Sequence, residues 1–265
     1  MELYRIIQQN YHYYMYEIID PRAQDVFYAR SPLPCAILIV SYVYITTVLG
    51  PRLMKNRPAF KMDGVIRLYD VVQIALNAYF FFRCLLNITN EEINWQCMPV
   101  LHDNSYLSVL IEEHAHYFVW LKVFDLLDTI FFVLRKKFNQ VSFLHVYHHA
   151  AVVFGSWLAL RYVPGGNTLL VVFLNTFVHM IMFTYYLLTS INPEYKKSIW
   201  WKKYLTLLQM IQFLIFAVHS LQSQIWNTCG FPRPLGIAFI IQNFFIFALF
   251  FDFYVKAYGA KRKVV

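Results

Sequence analysis

Seven stretches of this chain are apolar and long enough to cross, as helices, the hydrocarbon layer of a bilayer, which is about 30 Å thick. They run over roughly 33–50, 66–88, 113–134, 141–160, 168–188, 204–224 and 235–256, the first and fourth being short or interrupted. Backbone groups in lipid must find their hydrogen bonds within the segment, and runs of this length do so as helices. The fold class is therefore all-α, a polytopic membrane protein with seven transmembrane helices. Composition agrees: 59% of the 265 residues are hydrophobic and 14% are charged, where a soluble domain carries about 25% charged. Connecting segments are short, with no low-complexity stretch and no strong internal repeat, so residues 1–265 read as a single transmembrane domain. Met1–Arg30 is polar and tyrosine-rich and lacks the apolar core of a signal peptide.

The charges orient the spans. Seven crossings place the termini on opposite sides, and with the C-terminus cytosolic, sixteen Lys and Arg fall in cytosolic segments. Five (Arg5, Arg22, Arg30, Arg161 and Arg233) fall on the other side, while Arg83 and Lys122 lie within spans. This is a positive-inside bias, so the net charge of +8 reports topology and not a nucleic-acid footprint. The same basic face suits an anionic, phosphate-bearing substrate arriving from the cytosol. This topology puts Cys97 and Cys229 in lumen-side loops, an oxidising setting, and predicts a bridge between them. Cys35 and Cys84 sit within spans as small apolar residues. Asn87-Ile-Thr89 is a glycosylation sequon too near the end of span two to be readily accessible.

Polar residues inside spans are costly and mark sites. Span four opens with His145-Val-Tyr-His148-His149, whose i, i+3, i+4 spacing sets three imidazoles on one helix face. Span three carries Lys122, Asp125 and Asp128 at i, i+3, i+6, either a self-neutralising pair that holds helices together or a carboxylate that orients an imidazole. Span five carries Asn175-Thr-Phe-Val-His179, and His179 and His148 fall at matching depths, about 12–15 Å from the cytosolic face at 1.5 Å per residue. Span six begins Lys202-Lys203 and continues with Thr206, Gln209 and Gln212, a polar stripe that reads as interhelical hydrogen bonding or as a vestibule leading to the histidines.

Two chemistries compete for the histidines. A di-iron desaturase or hydroxylase needs about eight imidazoles. Of nine histidines here, only His145, His148, His149 and His179 fall together; His12 and His102 lie in the lumen-side tail and loop, and the other three towards lumenal span ends. The metal reading fails on that count. An imidazole can instead attack a thioester to give an acyl-imidazole that a dry cavity protects, or act as a general base near neutral pH.

The residues resemble one family, the very-long-chain fatty-acid elongases, which are membrane condensing enzymes of the endoplasmic reticulum. The likeness covers about residues 30–260 and rests on four ordered motifs: Lys122-xx-Asp125-xx-Asp128-Thr129, His145-xx-His148-His149, Asn175-xxx-His179-xx-Met182-Phe183-x-Tyr185-Tyr186, and Thr206-xx-Gln209-xx-Gln212. The end, Lys261-Arg-Lys263-Val-Val265, looks like a dilysine retrieval signal of that compartment. Two positions depart from the family pattern. Asp125 stands where Glu is usual, and Phe183 where Tyr is usual.

The resemblance implies decarboxylative condensation of a long-chain acyl-CoA with malonyl-CoA to a 3-oxoacyl-CoA two carbons longer, releasing CO2 and CoA. It implies that spans two to seven form a closed helical barrel around a narrow acyl tunnel, with span one outside. It makes His148 the nucleophile and His179 its opposite partner, with His145, His149, Asp128 and Asn175 positioning them. Lys122, Arg135, Lys137, Tyr185, Lys202, Thr206 and Gln209 are the expected contacts for CoA phosphates, pantetheine and the thioester. No metal and no redox cofactor are expected. The expected partners are membrane lipid, the other enzymes of the elongation cycle and a second copy of the chain; the location is the endoplasmic reticulum membrane, N-terminus lumenal. A seven-span carrier or receptor remains as a fold-level alternative, separable because a carrier should tolerate His148→Ala. Chain-length and saturation preference depend on side chains closing the tunnel, which the sequence leaves open.

Overall fold

The computed structural model describes residues 1–259 except Ile88, Asn90, Glu92, His102, Asn104, Ser198 and Asn227. The dilysine-like Lys261 and Lys263 and the loop residue His102 therefore lie outside the described residues. Those described form helices and turns with no strand. They divide into two compact units that interleave along the chain, Met1–Phe60 with Val100–Thr168 and Lys61–Pro99 with Leu169–Val265.

In the first unit, the short helices α1 (Glu2–His12), α2 (Pro21–Gln24) and α3 (Phe27–Arg30) precede α4 (Pro32–Tyr44) and α5 (Gly50–Met54). The sequence marks the starts of these helices. Asp20 and Ser31 accept from the amides of Arg22 and Leu33, with Pro21 and Pro32 at first helical positions, where proline's missing N–H costs nothing. Asp20 also hydrogen-bonds the Arg22 guanidinium at 2.9 Å and raises its pKa above the ordinary arginine value. A π-turn over Ile45–Leu49 joins α4 to α5 just before Pro51, which cannot donate to the i→i−4 ladder. The first span is thus continuous, Pro32–Met54. Gly50 is required there, because a Cβ would sit 2.6 Å from Val133 Cγ1 and from the Ile45 carbonyl.

The third expected span is not one helix. It breaks at Leu126 into α7 (Tyr106–Asp125) and α8 (Leu127–Leu134), where the Leu126 amide bonds Val123, one residue short of the α pattern. Since α7 carries Glu112, Glu113, Lys122 and Asp125 and α8 has eight residues, neither is both long and apolar enough to cross alone. Among the described residues six helices meet that standard. α8 ends on Lys136 in the left-handed conformation, φ 58°. The Lys137 amide bonds Phe132 and that of Lys136 bonds Val133, the paired closure of a helix C-terminus. Lys136 Nζ donates to the carbonyls of Lys55 and Arg57.

The fourth span, α9 (Phe143–Tyr162), carries in its last turn Arg161, counted above as a lumenal charge but fully buried. Its guanidinium donates to the Ala29 and Met15 carbonyls and lies over the Trp157 and Tyr162 rings. This pins the N-terminal segment to the unit.

The second unit holds α6 (Asp63–Leu86), α10 (Leu169–Ile191), α11 (Ile199–Ile225) and α12 (Arg233–Tyr258). Tyr69 packs edge-on against Phe183 at 5.8 Å, and Phe81 against Phe173 and Phe177 at 5.1 and 5.3 Å, so α6 and α10 run antiparallel. The expected pair Cys97 and Cys229 is disulfide-bonded, tying the segment after α6 to the connection between α11 and α12. Asn87 caps α6, its amide donating to the Arg83 carbonyl at 2.8 Å.

Candidate active site

The histidine cluster begins the fourth span because Ser142 stops the chain ahead of it: the Ser142 hydroxyl accepts from the His145 amide at 3.2 Å, a helix N-cap. From there the helical repeat brings the rings of His145 and His149 to 4.3 Å between centroids, with His148 edge-on to His149 at 5.8 Å. The three imidazoles share one side, as their spacing predicts.

His145 is oriented from outside its helix. Thr129 Oγ1 lies 2.9 Å from His145 Nε2 and 2.8 Å from the Tyr42 hydroxyl. Thr129 is fully buried and Tyr42 nearly so. A hydrogen-bonded line Tyr42–Thr129–His145 therefore crosses α4, α8 and α9, and it fixes the ring plane as outer-shell partners do. Tyr42 escaped the sequence reading, since nothing local ties a tyrosine of span one to residue 129. Asp128 precedes Thr129 at the start of α8.

Lys122 Nζ and Asp125 Oδ2 pair at 2.9 Å with both side chains buried, and the ammonium sits 4.9 Å from the Phe118 ring centroid. This is the self-neutralising pair that the first of the two readings expected. Asp125, one methylene shorter than the family's usual Glu, still reaches its lysine. The Lys122 charge acts electrostatically on His148, so the pair belongs to the histidine environment. Arg135 and Lys137 lie half-buried around the end of α8.

The second unit carries the other half of the expected set. Asn175 and His179 are buried on the inward face of α10. Phe183 is fully buried between Tyr69, His179 at 5.8 Å and Tyr186 at 6.0 Å. Tyr185 stacks on Trp201 at 5.7 Å. On α11, Thr206 returns its hydroxyl to the Lys202 carbonyl at 3.0 Å, and Gln209 Nε2 approaches Met182 Sδ at 3.5 Å. His145, His148 and His149 thus belong to one unit with Lys122, Asp128, Arg135 and Lys137. Asn175 and His179 belong to the other with Tyr185, Lys202, Thr206 and Gln209.

A second group also went unread. Asp70, Gln73 and Asn77 are buried along α6. Their spacing, i, i+3, i+7, was a visible signal of one polar helix face in an apolar span. Among the described residues no group of three or more His, Cys, Asp or Glu side chains is arranged to hold one metal ion.

The family model ELO, GNS1/SUR4 family, matches residues 27–265. The chain is 38% identical to very long chain fatty acid elongase 7 of Drosophila melanogaster over 241 residues, covering 90% of this chain and 73% of that protein. It is 37% identical to a very long chain fatty acid elongase of Aedes aegypti over 253 residues, covering 95% and 70%. It is 36% identical to human very long chain fatty acid elongase 4 over 249 residues, covering 94% and 78%.

Proposed function

The chain belongs to the ELO, GNS1/SUR4 family of multi-pass membrane enzymes of fatty-acid elongation, and from that premise we propose that it performs the condensation step through an acyl-histidine. The substrates are a long-chain acyl-CoA and malonyl-CoA. A ring nitrogen of His148 attacks the thioester carbonyl and the C–S bond breaks. The acyl group stays on the imidazole, while the CoA thiolate takes up the proton the ring gives away. Malonyl-CoA then loses CO2, and the electron pair of its broken C–C bond forms an enolate. The enolate attacks the acyl carbon, releasing 3-oxoacyl-CoA and an imidazole that regains a proton. One proton is consumed per turnover.

The observation that carries this reading is the ordered imidazole cluster on α9. The His145 ring is held by Thr129 and packs against His149, and the charge of a buried cation, Lys122, acts on His148. A fixed imidazole beside a buried ammonium is what attack on a thioester requires, because the cation stabilises the oxyanion while a dry site protects the acyl-imidazole. In this reading His179 and Asn175 assist decarboxylation and condensation, and His145, His149 and Asp128 position the nucleophile. Arg135, Lys137 and Lys202 bind CoA phosphates, with Tyr185, Thr206 and Gln209 lining the path of its arm. The broken helix 106–134 counts as a seventh span, and spans two to seven wall a closed acyl tunnel in a single functional domain. The membrane is that of the endoplasmic reticulum, with the N-terminus lumenal, Lys261 and Lys263 serving retrieval, and no metal or redox cofactor. The reductases and dehydratase that complete the cycle would be its partners, with a second copy of the chain as a further candidate.

The test is intact-mass analysis of purified protein incubated with a long-chain acyl-CoA alone. A mass gain of one acyl group, absent in His148→Ala, supports the covalent route. No adduct, with product still formed once malonyl-CoA is added, replaces it with direct condensation in which the histidines act as bases.

A further inference from the structure

The second span presents a face that the proposed mechanism does not use. The buried positions of α6 are Tyr69, Asp70, Gln73, Asn77, Phe80 and Cys84, polar over one half and apolar over the other. Beyond Arg67 its exposed positions, among them Leu68, Leu76 and Phe82, are predominantly apolar. The polar half is turned inward.

Hydrogen bonds there fix how the groups face. Gln73 Nε2 donates to the Tyr69 hydroxyl at 2.8 Å. Asn77 Nδ2 donates to the Gln73 carbonyl at 2.8 Å and to Gln73 Oε1 at 3.3 Å. With its NH2 group committed, Asn77 must aim its oxygen elsewhere. That oxygen, Asn77 Oδ1, is buried without a hydrogen-bond partner, and so is Asp70 Oδ2.

Three further oxygens of the same unit share this condition, Asn175 Oδ1 on α10 and Gln212 Oε1 and Gln224 Oε1 on α11, the last twelve residues farther along that helix. Asn77 is eight residues after Tyr69 and four before Phe81, so the ring contacts with Phe183, Phe173 and Phe177 place it across from 175–181. Gln212 is one turn beyond Gln209, which touches Met182. Four of these sealed acceptors, on Asp70, Asn77, Asn175 and Gln212, therefore lie within about two helical turns of His179.

A buried acceptor left unmade costs about 1–3 kcal/mol, and native structures retain few of them. What these oxygens lack is an N–H or O–H donor. The acyl tail has none, and the CoA phosphates are acceptors. The pantetheine arm, by contrast, carries two secondary-amide N–H groups, just short of the thioester.

Resting on the condensing-enzyme reading, we propose that Asp70 and Asn77 on the second span are substrate-positioning residues that accept the pantetheine amide N–H groups while the thioester lies at His179. The apolar half of the same face, from Phe80 to Cys84, then begins the acyl path. The polar-to-apolar change along one helix sets how far the substrate enters.

The experiment uses full-length purified protein, a long-chain acyl-CoA, and two analogues in which one or the other pantetheine amide N–H is replaced by an ester oxygen. The parent enzyme is expected to show a KM about 5–10-fold higher for at least one analogue, with kcat nearly unchanged, as for one lost hydrogen bond. Asn77→Leu is expected to raise KM for the natural substrate by a similar factor and to treat that analogue and the substrate alike. Asn77→Asp, which keeps an acceptor, should still discriminate. Asp70→Leu and Asp70→Asn form the matching pair for the other amide. Should Asn77→Leu not fold, Asn77→Ser withdraws the oxygen by shortening the side chain. Equal KM values for substrate and both analogues in the parent enzyme would overturn the proposal and leave the acceptors to water. Full discrimination retained in both the Asn77 and Asp70 variants would overturn it equally. Absence of product from the parent enzyme with natural substrates would instead bring down the condensing-enzyme reading itself.

Discussion

At the scale of single residues, the arrangement of His145 depends on a hydroxyl, not on a charge. Thr129→Val keeps the side-chain volume but removes the link to His145 Nε2. Losing one hydrogen bond that orients a reacting group is worth about 1–1.5 kcal/mol, so condensation should slow roughly ten-fold. Tyr42→Phe leaves the Thr129–His145 contact in place and should cost less. Steady-state assays of the two variants decide this, and the reverse order would mean that the ring is held by something else. Phe183 shows how a departure from the family pattern is tolerated. The residue is fully buried against aromatic rings, and the hydroxyl nearby belongs to Tyr69, already engaged by Gln73.

At the scale of elements, backbone approach and helix ends set positions that hydropathy does not describe. Gly50→Ala drives a methyl group into Val133 Cγ1 and the Ile45 carbonyl. Overpacking of that kind costs about 1–3 kcal/mol, and the variant should melt at a lower temperature in detergent. Val133→Ala added to it should recover part of the loss, as a double-mutant cycle on contacting residues would show. Arg161 fastens the N-terminal helices through the Ala29 and Met15 carbonyls. Hydrogen bonds to charged groups are worth about 1.5–3 kcal/mol each. Arg161→Met should therefore expose residues 2–30 to limited proteolysis while α9 itself stays resistant. Equal resistance in the variant and the parent would show that the segment is held by its apolar contacts alone. The break at Leu126 was hidden from sequence reasoning because no proline or glycine marks it. Its sign is a backbone hydrogen bond reaching three residues back instead of four, from Leu126 to Val123, which no residue type announces.

At the scale of the whole molecule, one covalent link joins segments 132 residues apart, Cys97 to Cys229. Closing a loop of that size is worth at most about 5 kcal/mol in chain entropy, and less where helices persist in the membrane after unfolding. Cys97→Ser, Cys229→Ser and the double variant should lower the melting temperature equally, because each removes the same link. A double variant markedly worse than either single one would show that the thiols contribute by packing. This pair was legible beforehand because span count and charge bias assigned both cysteines to one side. Helical class and most span positions were legible for a similar reason: the length of an apolar run is a local property of the chain. The histidine cluster was legible because three polar side chains at helical spacing in an apolar segment need no partner to be noticed. Tertiary structure alone decided which hydroxyl meets His145, that Arg161 is sealed from solvent, and that Asp70 and Asn77 aim unpartnered oxygens inward. Those outcomes depend on how each helix is rotated about its own axis. That rotation is set by packing against other helices, from 16 to more than a hundred positions away, and no local pattern encodes it.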